Sequence, residues 1–387
     1  MMLLLKQVDV YSPTPQGRRD VLIGGGKILA VTEEMRLPDF TFVETIDCTD
    51  LKAIPGLIDG HMHFAGAGGE GGPSTRTPEM SITTILSGGI TTAIGMLGTD
   101  GFTRSVESVL MQARKLQTFG ITCPILTGAY QIPTPTITGD PGRDIILIRE
   151  IIGAGEIAIA DHRDSAPTWN ELARIAKTVR VAGMLAGKPG IVCLHLGDAP
   201  DTFHLVDAAV EKGFIPYRHF IPTHCNRSRD VFERAIVYAR QGGYVDITTS
   251  AYPFFPDEEV KPSEAVKSLL DRGIPSERVT LSTDAGGSLP EFDRQGNLIK
   301  MTTGSPSTLL SEIKDLVHDG FSLDKAITFV TSNPSSLYGL KDKGHIESGF
   351  CADILLLDND LNICHLISSG NFLIRNRQIL MTDQTIC

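Results

Sequence analysis

The chain has 387 residues, more than one ordinary domain but within range of a large α/β barrel with an appendage, since such a barrel takes roughly 250 residues. A hydrophobic fraction of 41% and a charged fraction of 21% fit a globular protein with a sizeable core. The net charge of −11 excludes a nucleic-acid surface, which needs clustered Lys and Arg, and seven cysteines without a CxxC pair exclude a disulfide framework or zinc ribbon.

At the start, Met1 to Leu5 is apolar, but Lys6 ends the run well short of the ~7–15 apolar residues of a signal peptide. No stretch reaches the ~18 apolar residues of a membrane span. The expectation is a cytoplasmic protein with reduced thiols and neither a membrane nor a nucleic-acid partner. Residues 1–52 then alternate apolar and polar positions (Val8, Val10, Val21, Ile23, Ile28, Ala30), which predicts short strands. Gly24-Gly25-Gly26 before Lys27 suits a hairpin turn, and it lacks the Gly-Lys-Ser/Thr ending of a phosphate loop.

From 53 to 341 the texture becomes strand then helix, repeatedly. Strands are predicted at Thr91–Leu97, Thr122–Leu126, Glu156–Ala160, Ile191–Leu196, Phe220–Thr223, Tyr244–Thr248 and Val279–Ser282. Helices are predicted at Ser105–Thr118, Thr168–Leu185, Phe203–Lys212, Asp230–Gln241, Pro262–Arg272 and Pro306–Asp319. About eight such units predict a closed parallel barrel. The segment 342–387 returns to strands at Ala352–Leu357, Ile363–Ile367 and Phe372–Ile374. The expected fold is therefore α/β: a (β/α)8 TIM-type barrel over 53–341, flanked by a small β-sandwich domain made from 1–52 and 342–387.

The sharpest local signal is Pro55-Gly56-Leu57-Ile58-Asp59-Gly60-His61-Met62-His63. In a strand, residues i and i+2 share a face, so His61 and His63 can direct both imidazoles at one point. Parallel barrels carry their active sites at strand C-terminal ends. Further histidines and acidic residues stand in or just after later predicted strands, and imidazole with carboxylate suits zinc and similar divalent ions. Any one of these histidines alone reads as a hydrogen-bonded core residue; their joint occurrence at strand ends reads as a metal centre.

The string through His61-Met62-His63 resembles the first-strand signature of the amidohydrolase superfamily, and the later ligands follow in that family's order. The resemblance implies two divalent metal ions, zinc being the expected one. His61, His63 and Asp284 would hold the first, His195 and His224 the second, with a carboxylate between them. The family bridge is usually a carboxylated lysine, yet no lysine occurs between Lys115 and Lys177. Glu156 stands in that place, so no carboxylated lysine is expected. Glu156 is shorter by about three bonds, so the backbone must approach the metals, which Gly153 and Gly155 would permit. A one-metal site with Glu156 outside the coordination sphere is the alternative.

Phe64 to Pro73 is glycine-rich and follows the histidine pair; its amides, Gly68 among them, can bind a carboxylate, while Glu70 can hold a substrate ammonium. Arg163 and Arg227 offer guanidinium forks for carboxylates, and Tyr130 can donate to a developing oxyanion. Thr99 and Ser288 complete the expected substrate-binding set. One ammonium binder and two carboxylate binders fit a small zwitterionic dipeptide with an extra acid group. The strings Gly-Gly-Glu-Gly-Gly-Pro, Thr-Gly-Ala-Tyr, Asp-His-Arg and Thr-His-Cys-Asn-Arg also resemble the isoaspartyl (β-aspartyl) dipeptidases. That resemblance implies hydrolysis of the side-chain-linked amide by metal-activated hydroxide, with Asp284 moving the proton and Tyr130 supporting the oxyanion. It also implies a homo-oligomer, with an octamer as the candidate state. The alternatives are another amide or cyclic-amide hydrolase (dihydroorotase-like or N-acyl deacylase) and a non-catalytic scaffold.

Overall fold

The computed structural model describes residues 2–36, 42–293, 295 and 297–383. The head of the chain forms β1 (Met2–Ser12), β2 (Thr14–Gly24), β3 (Lys27–Thr32), β4 (Val43–Asp47) and β5 (Lys52–Pro55). Gly24 pairs with Lys27 across the β2–β3 turn, and Gly25 and Gly26 take φ of 60° and 78°. Left-handed backbone at both central positions is what a tight two-residue hairpin requires, and glycine adopts it without a Cβ clash.

The barrel strands are β6 (Leu57–Met62), β7 (Ile90–Gly95), β8 (Ile125–Thr127), β9 (Ile151–Ile159), β10 (Ile191–Leu196), β11 (Phe220–Thr223), β12 (Val245–Thr248) and β13 (Val279–Ser282). Between them lie α1 (Ile82–Ser87), α2 (Val106–Thr118), α3 (Pro141–Leu147), α4 (Trp169–Ala186), α5 (His204–Gly213), α6 (Arg229–Arg240) and α7 (Pro262–Asp271). Side-chain caps start several of them: Ser105, Asp140 and Ser228 accept from the third helical amide, and Thr168 with Glu171 forms a reciprocal capping box. Strands β6 to β11 form one parallel sheet in sequential order, and β12 pairs parallel with β13. Cys225 N donates to Asp246 O beyond β11, while Asp284 N donates to His61 O and His63 N to Ala285 O. These bonds draw the first and last strands together, and the strands form a TIM-type parallel barrel.

After β13 an antiparallel hairpin, β14 (Ser288–Phe292) and β15 (Leu298–Thr303), interrupts the alternation. It is followed by α8 (Thr308–His318), α9 (Leu323–Thr328) and α10 (Ser332–Leu337). Neither the hairpin nor α1, α3, α9 and α10 was expected from the sequence. The chain ends in β16 (Ile354–Leu357), β17 (Ile363–Ser368), β18 (Asn371–Arg375) and β19 (Gln378–Ile379). Both termini join one nine-stranded sheet, in which β16 pairs antiparallel with β5 and β4 lies on β1. The strand period of two divides it: Ile354 and Leu356 face an apolar cluster with Leu5, Val8 and Val10, while Leu355 and Leu357 join the barrel core. Burying one such side chain contributes roughly 1.5–3 kcal/mol, so the sheet is welded to the barrel by its second face.

Among the described residues no helix is long and apolar enough to cross a membrane. Cys48, Cys123, Cys193, Cys225, Cys351 and Cys364 are free thiols. Cys387, the seventh, lies outside the described residues.

Candidate metal centre and substrate pocket

His61 lies in β6 and His63 directly after it; His195 lies in β10, His224 directly after β11 and Asp284 two residues beyond β13. All are buried, as is Glu156 in β9. His224 and Asp284 take φ of 60° and 56°, the left-handed region that L-residues seldom occupy, and so leave their strands sharply. Asp59 ties the two ends of the barrel together: its carboxylate accepts from His61 N at 3.2 Å, from Thr283 N at 3.1 Å and from the Thr283 hydroxyl. Burial pushes the Asp59 carboxyl up to about 6.

Glu156 is the hub. Its Oε2 lies 3.3 Å from His61 Nε2, 3.3 Å from His195 Nδ1 and 3.5 Å from His224 Nε2, and its Oε1 lies 3.6 Å from His63 Nε2. Asp284 Oδ1 stands 3.1 Å from His63 Nε2 and 3.7 Å from His61 Nε2. Two groups of ligand atoms are mutually close, His61 with His63 and Asp284, and His61 with Glu156 and His224. His195 reaches these groups through Glu156. Burial alone would raise the Glu156 carboxyl, but the imidazoles of His61 and His195 outweigh it and hold it well below its ordinary range. Burial pushes His224 down to about 4, favouring the neutral, lone-pair form.

The backbone beneath Glu156 is closely packed. A Cβ on Gly153 would lie 2.4 Å from Ile191 O, and one on Gly155, whose φ is 138°, would lie 2.7 Å from Cys193 O. The β9–β10 register shifts between Val192 and Leu194, so β9 bulges at Gly155-Glu156.

This donor set fits a divalent metal. His63 Nδ1 lies 3.1 Å from Met96 O, an acceptor only, so Nδ1 carries the proton and the Nε2 lone pair faces the cluster. His224 Nδ1 contacts the Thr248 hydroxyl at 2.8 Å, and its Nε2 likewise faces inward. Buried imidazoles and carboxylates gathered this closely match what a hard or borderline cation takes.

Over the cluster opens a cavity of about 590 Å³. Thr99, Tyr130, Arg163, Arg227 and Ser288 line it together with His63, His195, His224 and Asp284. Tyr130 OH stands 2.8 Å from His195 Nδ1, and burial holds its phenol well above the ordinary value. Glu70 lies just behind the wall: its Oε1 accepts from Thr99 Oγ1 at 3.0 Å and Ser288 Oγ at 2.7 Å, with Arg163 Nη1 at 3.4 Å. Its Oε2 is buried without a partner. Gly68 belongs to the loop below, where φ is 74° and a Cβ would lie 2.6 Å from Thr75 O. Arg104 pins that loop by donating to the carbonyls of Ala65, Ala67 and Thr77 at 2.7, 3.0 and 2.9 Å.

Three cavity residues escaped the sequence reading. Asp161 sits between the two arginines. Glu259 stands near Arg227 with a buried Oε2 that lacks a partner, and burial pushes it up to about 8. Phe292, from the unforeseen β14, meets the His162 ring at 4.9 Å between centroids. Only Asp161 carried a signal, its place beside His162-Arg163.

A parallel barrel that gathers histidines and carboxylates at its strand ends, under a cavity walled by arginines, is built as a metal-dependent hydrolase. The chain belongs to the Amidohydrolase family, which matches residues 53–382. It is similar to a crystal structure of beta-aspartyl dipeptidase from Fervidobacterium islandicum AW-1 in complex with beta-Asp-Leu dipeptide. The two share 38% identity and a TM-score of 0.94, covering 100% of this chain and 99% of that one. A second structure of beta-aspartyl dipeptidase from that organism gives 36% identity and a TM-score of 0.91, with both chains covered in full. Dihydroorotase of Streptococcus thermophilus is 24% identical over 92% of this chain and 90% of its own length.

Proposed function

We propose that the protein hydrolyses β-aspartyl (isoaspartyl) dipeptides at the amide made through the aspartate side chain. The observation that carries this reading is the full-length likeness to a beta-aspartyl dipeptidase that holds beta-Asp-Leu, at 38% identity. The cavity chemistry supports it. Arg163 and Arg227 present cationic forks for the two carboxylates of such a substrate, and the free Oε2 of Glu70 suits its ammonium. The dihydroorotase likeness, at 24% identity, supports the family more than that substrate.

Two divalent ions, zinc being the proposed identity, would sit on His61, His63 and Asp284 and on His195 and His224, with Glu156 bridging in place of a carboxylated lysine. When bound, such ions polarise a carbonyl and lower the pKa of water. Asp284 takes the proton of the attacking water and passes it to the leaving amine; its Oδ1 faces His63 at the cavity floor. Tyr130 OH donates to the carbonyl oxygen as it gains charge, once drawn from His195. Thr99 and Ser288 hold the substrate's polar ends through hydroxyls now on Glu70, and Gly68, expected to join them, lies in the loop beneath and outside the cavity lining.

The same reading extends to organisation. The nine-stranded sheet would curl into a β-sandwich around its own apolar cluster, dividing the chain into 1–52 with 342–387 and a barrel at 53–341; the separate cluster under β1, β2 and β16 supports it. A cytoplasmic homo-oligomer, up to an octamer, is the proposed state.

Zinc-loaded protein assayed with β-Asp-Leu, an N-acyl leucine and dihydroorotate tests the function. Leucine release from β-Asp-Leu should dominate; faster turnover of either other substrate would replace the assignment.

A further inference from the structure

We propose that Asp161 is a positioning residue that sets both a metal ligand and the carboxylate-binding arginine through one side chain. The inference rests on the functional reading above for its substrate arm and on geometry alone for its metal arm.

Ala160, with φ of 57°, turns the chain off β9 and back across the barrel mouth. Asp161 Oδ1 there accepts from Arg163 N at 2.8 Å and Nε at 2.9 Å, and Oδ2 accepts from Arg163 Nη2 at 2.7 Å. The Asp161 side chain is 4% exposed, so this two-pronged pair is nearly free of competing water. The same Oδ2 lies 3.0 Å from His195 Nε2. Arg227 Nη1 and Arg163 Nη2 approach that ring nitrogen at 3.0 and 3.3 Å, but guanidinium groups only donate. Of the two carboxylates at the ring, Asp161 lies nearer Nε2, at 3.0 Å, than Glu156 Oε2 lies to Nδ1, at 3.3 Å, and the Tyr130 hydroxyl, 2.8 Å from Nδ1 and 3.3 Å from Nε2, can donate to Nδ1, so Asp161 is the favoured acceptor of the ring proton. With the proton on Nε2, the bare lone pair is on Nδ1, the atom 3.3 Å from Glu156 Oε2 at the heart of the cluster.

Asp161 therefore fixes which His195 nitrogen can ligate, and it removes three of the Arg163 N–H groups from play. The remaining edge of Arg163, Nη1, points towards Glu70 and the cavity. One carboxylate links the depth of the metal cluster to the register of the substrate's acid group.

Asp161→Asn keeps the size and removes the charge. From zinc-loaded protein, capture of the metal by a chromogenic chelator should run about 10–100-fold faster in the variant, as for other partners of metal-bound histidines. KM for β-Asp-Leu should rise about tenfold while kcat falls less, since Arg163 binds ground state and transition state alike. Zinc capture and KM both within about threefold of the unsubstituted protein, or a lowered melting temperature as the sole change, would overturn the role. The unsubstituted protein supplies a check that needs no variant: 15N spectra of zinc-loaded, histidine-labelled protein should show the His195 proton on Nε2, and a proton on Nδ1 would overturn it. Zinc capture needs no substrate, so a protein inert towards β-Asp-Leu would break the functional reading and leave this arm standing.

Discussion

The barrel mouth and the terminal sheet bury opposite kinds of surface. Under the sheet, Leu5, Val8, Ile354 and Leu356 pack hydrocarbon on hydrocarbon, and the buried Asp353 is satisfied by Lys343 and by Ser369 N at 2.7 Å. At the mouth, Glu156 and Asp284 face imidazoles, and Glu70 keeps a buried oxygen with no partner. Buried polar groups without full partners cost stability, roughly 1–3 kcal/mol each. The contrast assigns the two regions different work: the sheet and barrel core supply stability, and the mouth spends some of it on groups held ready for a cation and a zwitterion.

The sharpest way to break that division is Asp284→Asn. It should lower turnover of β-Asp-Leu by about 10³-fold or more while most bound metal remains, since a positioned acid–base contributes about 10²–10⁴-fold. Near-native kcat beside an unchanged metal content would remove Asp284 from proton transfer. Glu156→Gln comes next: elemental analysis should find the metal content roughly halved, and activity lost with it. The unsubstituted protein, stripped and reloaded, should recover without bicarbonate; stimulation by bicarbonate would count against Glu156 as the bridge.

The terminal sheet should answer in the opposite sense. Leu356→Ala should cost about 2–5 kcal/mol in denaturant unfolding and leave kcat unchanged, because the fully buried Leu356 faces away from the barrel core. A fall in kcat at full folding would show that the two regions are coupled. The smallest effect is expected at Glu312 on α8, which burial pushes up to about 8, with Asp315 adding to the shift. The unfolded value lies near ~4.3, so the protonated carboxyl stabilises the fold below that value, and the contribution fades as pH rises through about 8. Glu312→Gln should therefore flatten the melting temperature between pH 5 and 9, with the variant a few °C the more stable at pH 9. Parallel curves for the two proteins would refute the burial of that charge.

Much of the candidate cluster was legible because its side chains obey local rules. The i, i+2 spacing of His61 and His63 needs only a strand, and strand ends are marked by the apolar runs before His195, His224 and Asp284. The glutamate could be singled out because the absence of lysine over that stretch is visible without coordinates, and Gly153 and Gly155 announced a close approach. What stayed hidden depends on chain reversals. Asp161 reaches His195 only because Ala160 turns left-handed, and Glu259 reaches the cavity from the loop before α7. The β14–β15 hairpin was invisible because polar residues and Pro290 dilute its alternation. Helix α3 is seven residues long, too short for periodicity to stand out, although Asp140-Pro141 is a sound helix start. Strand β8 was placed at Thr122–Leu126 but pairs regularly over Ile125–Thr127; Pro124 has no amide to donate, and Thr122 keeps an isolated bridge to Thr92.

The tight backbone beneath Glu156 also restricts how this lineage can change. With Gly153 and Gly155 pressed against the neighbouring strand and a carboxylate oxygen already within 3.5 Å of three imidazoles, a lysine at 156 would have nowhere to extend. Accommodating a longer side chain there would take concerted replacement of the glycines, so that β9 retreats. A single substitution at 153, 155 or 156 would therefore crowd the strand before a second one relieved it.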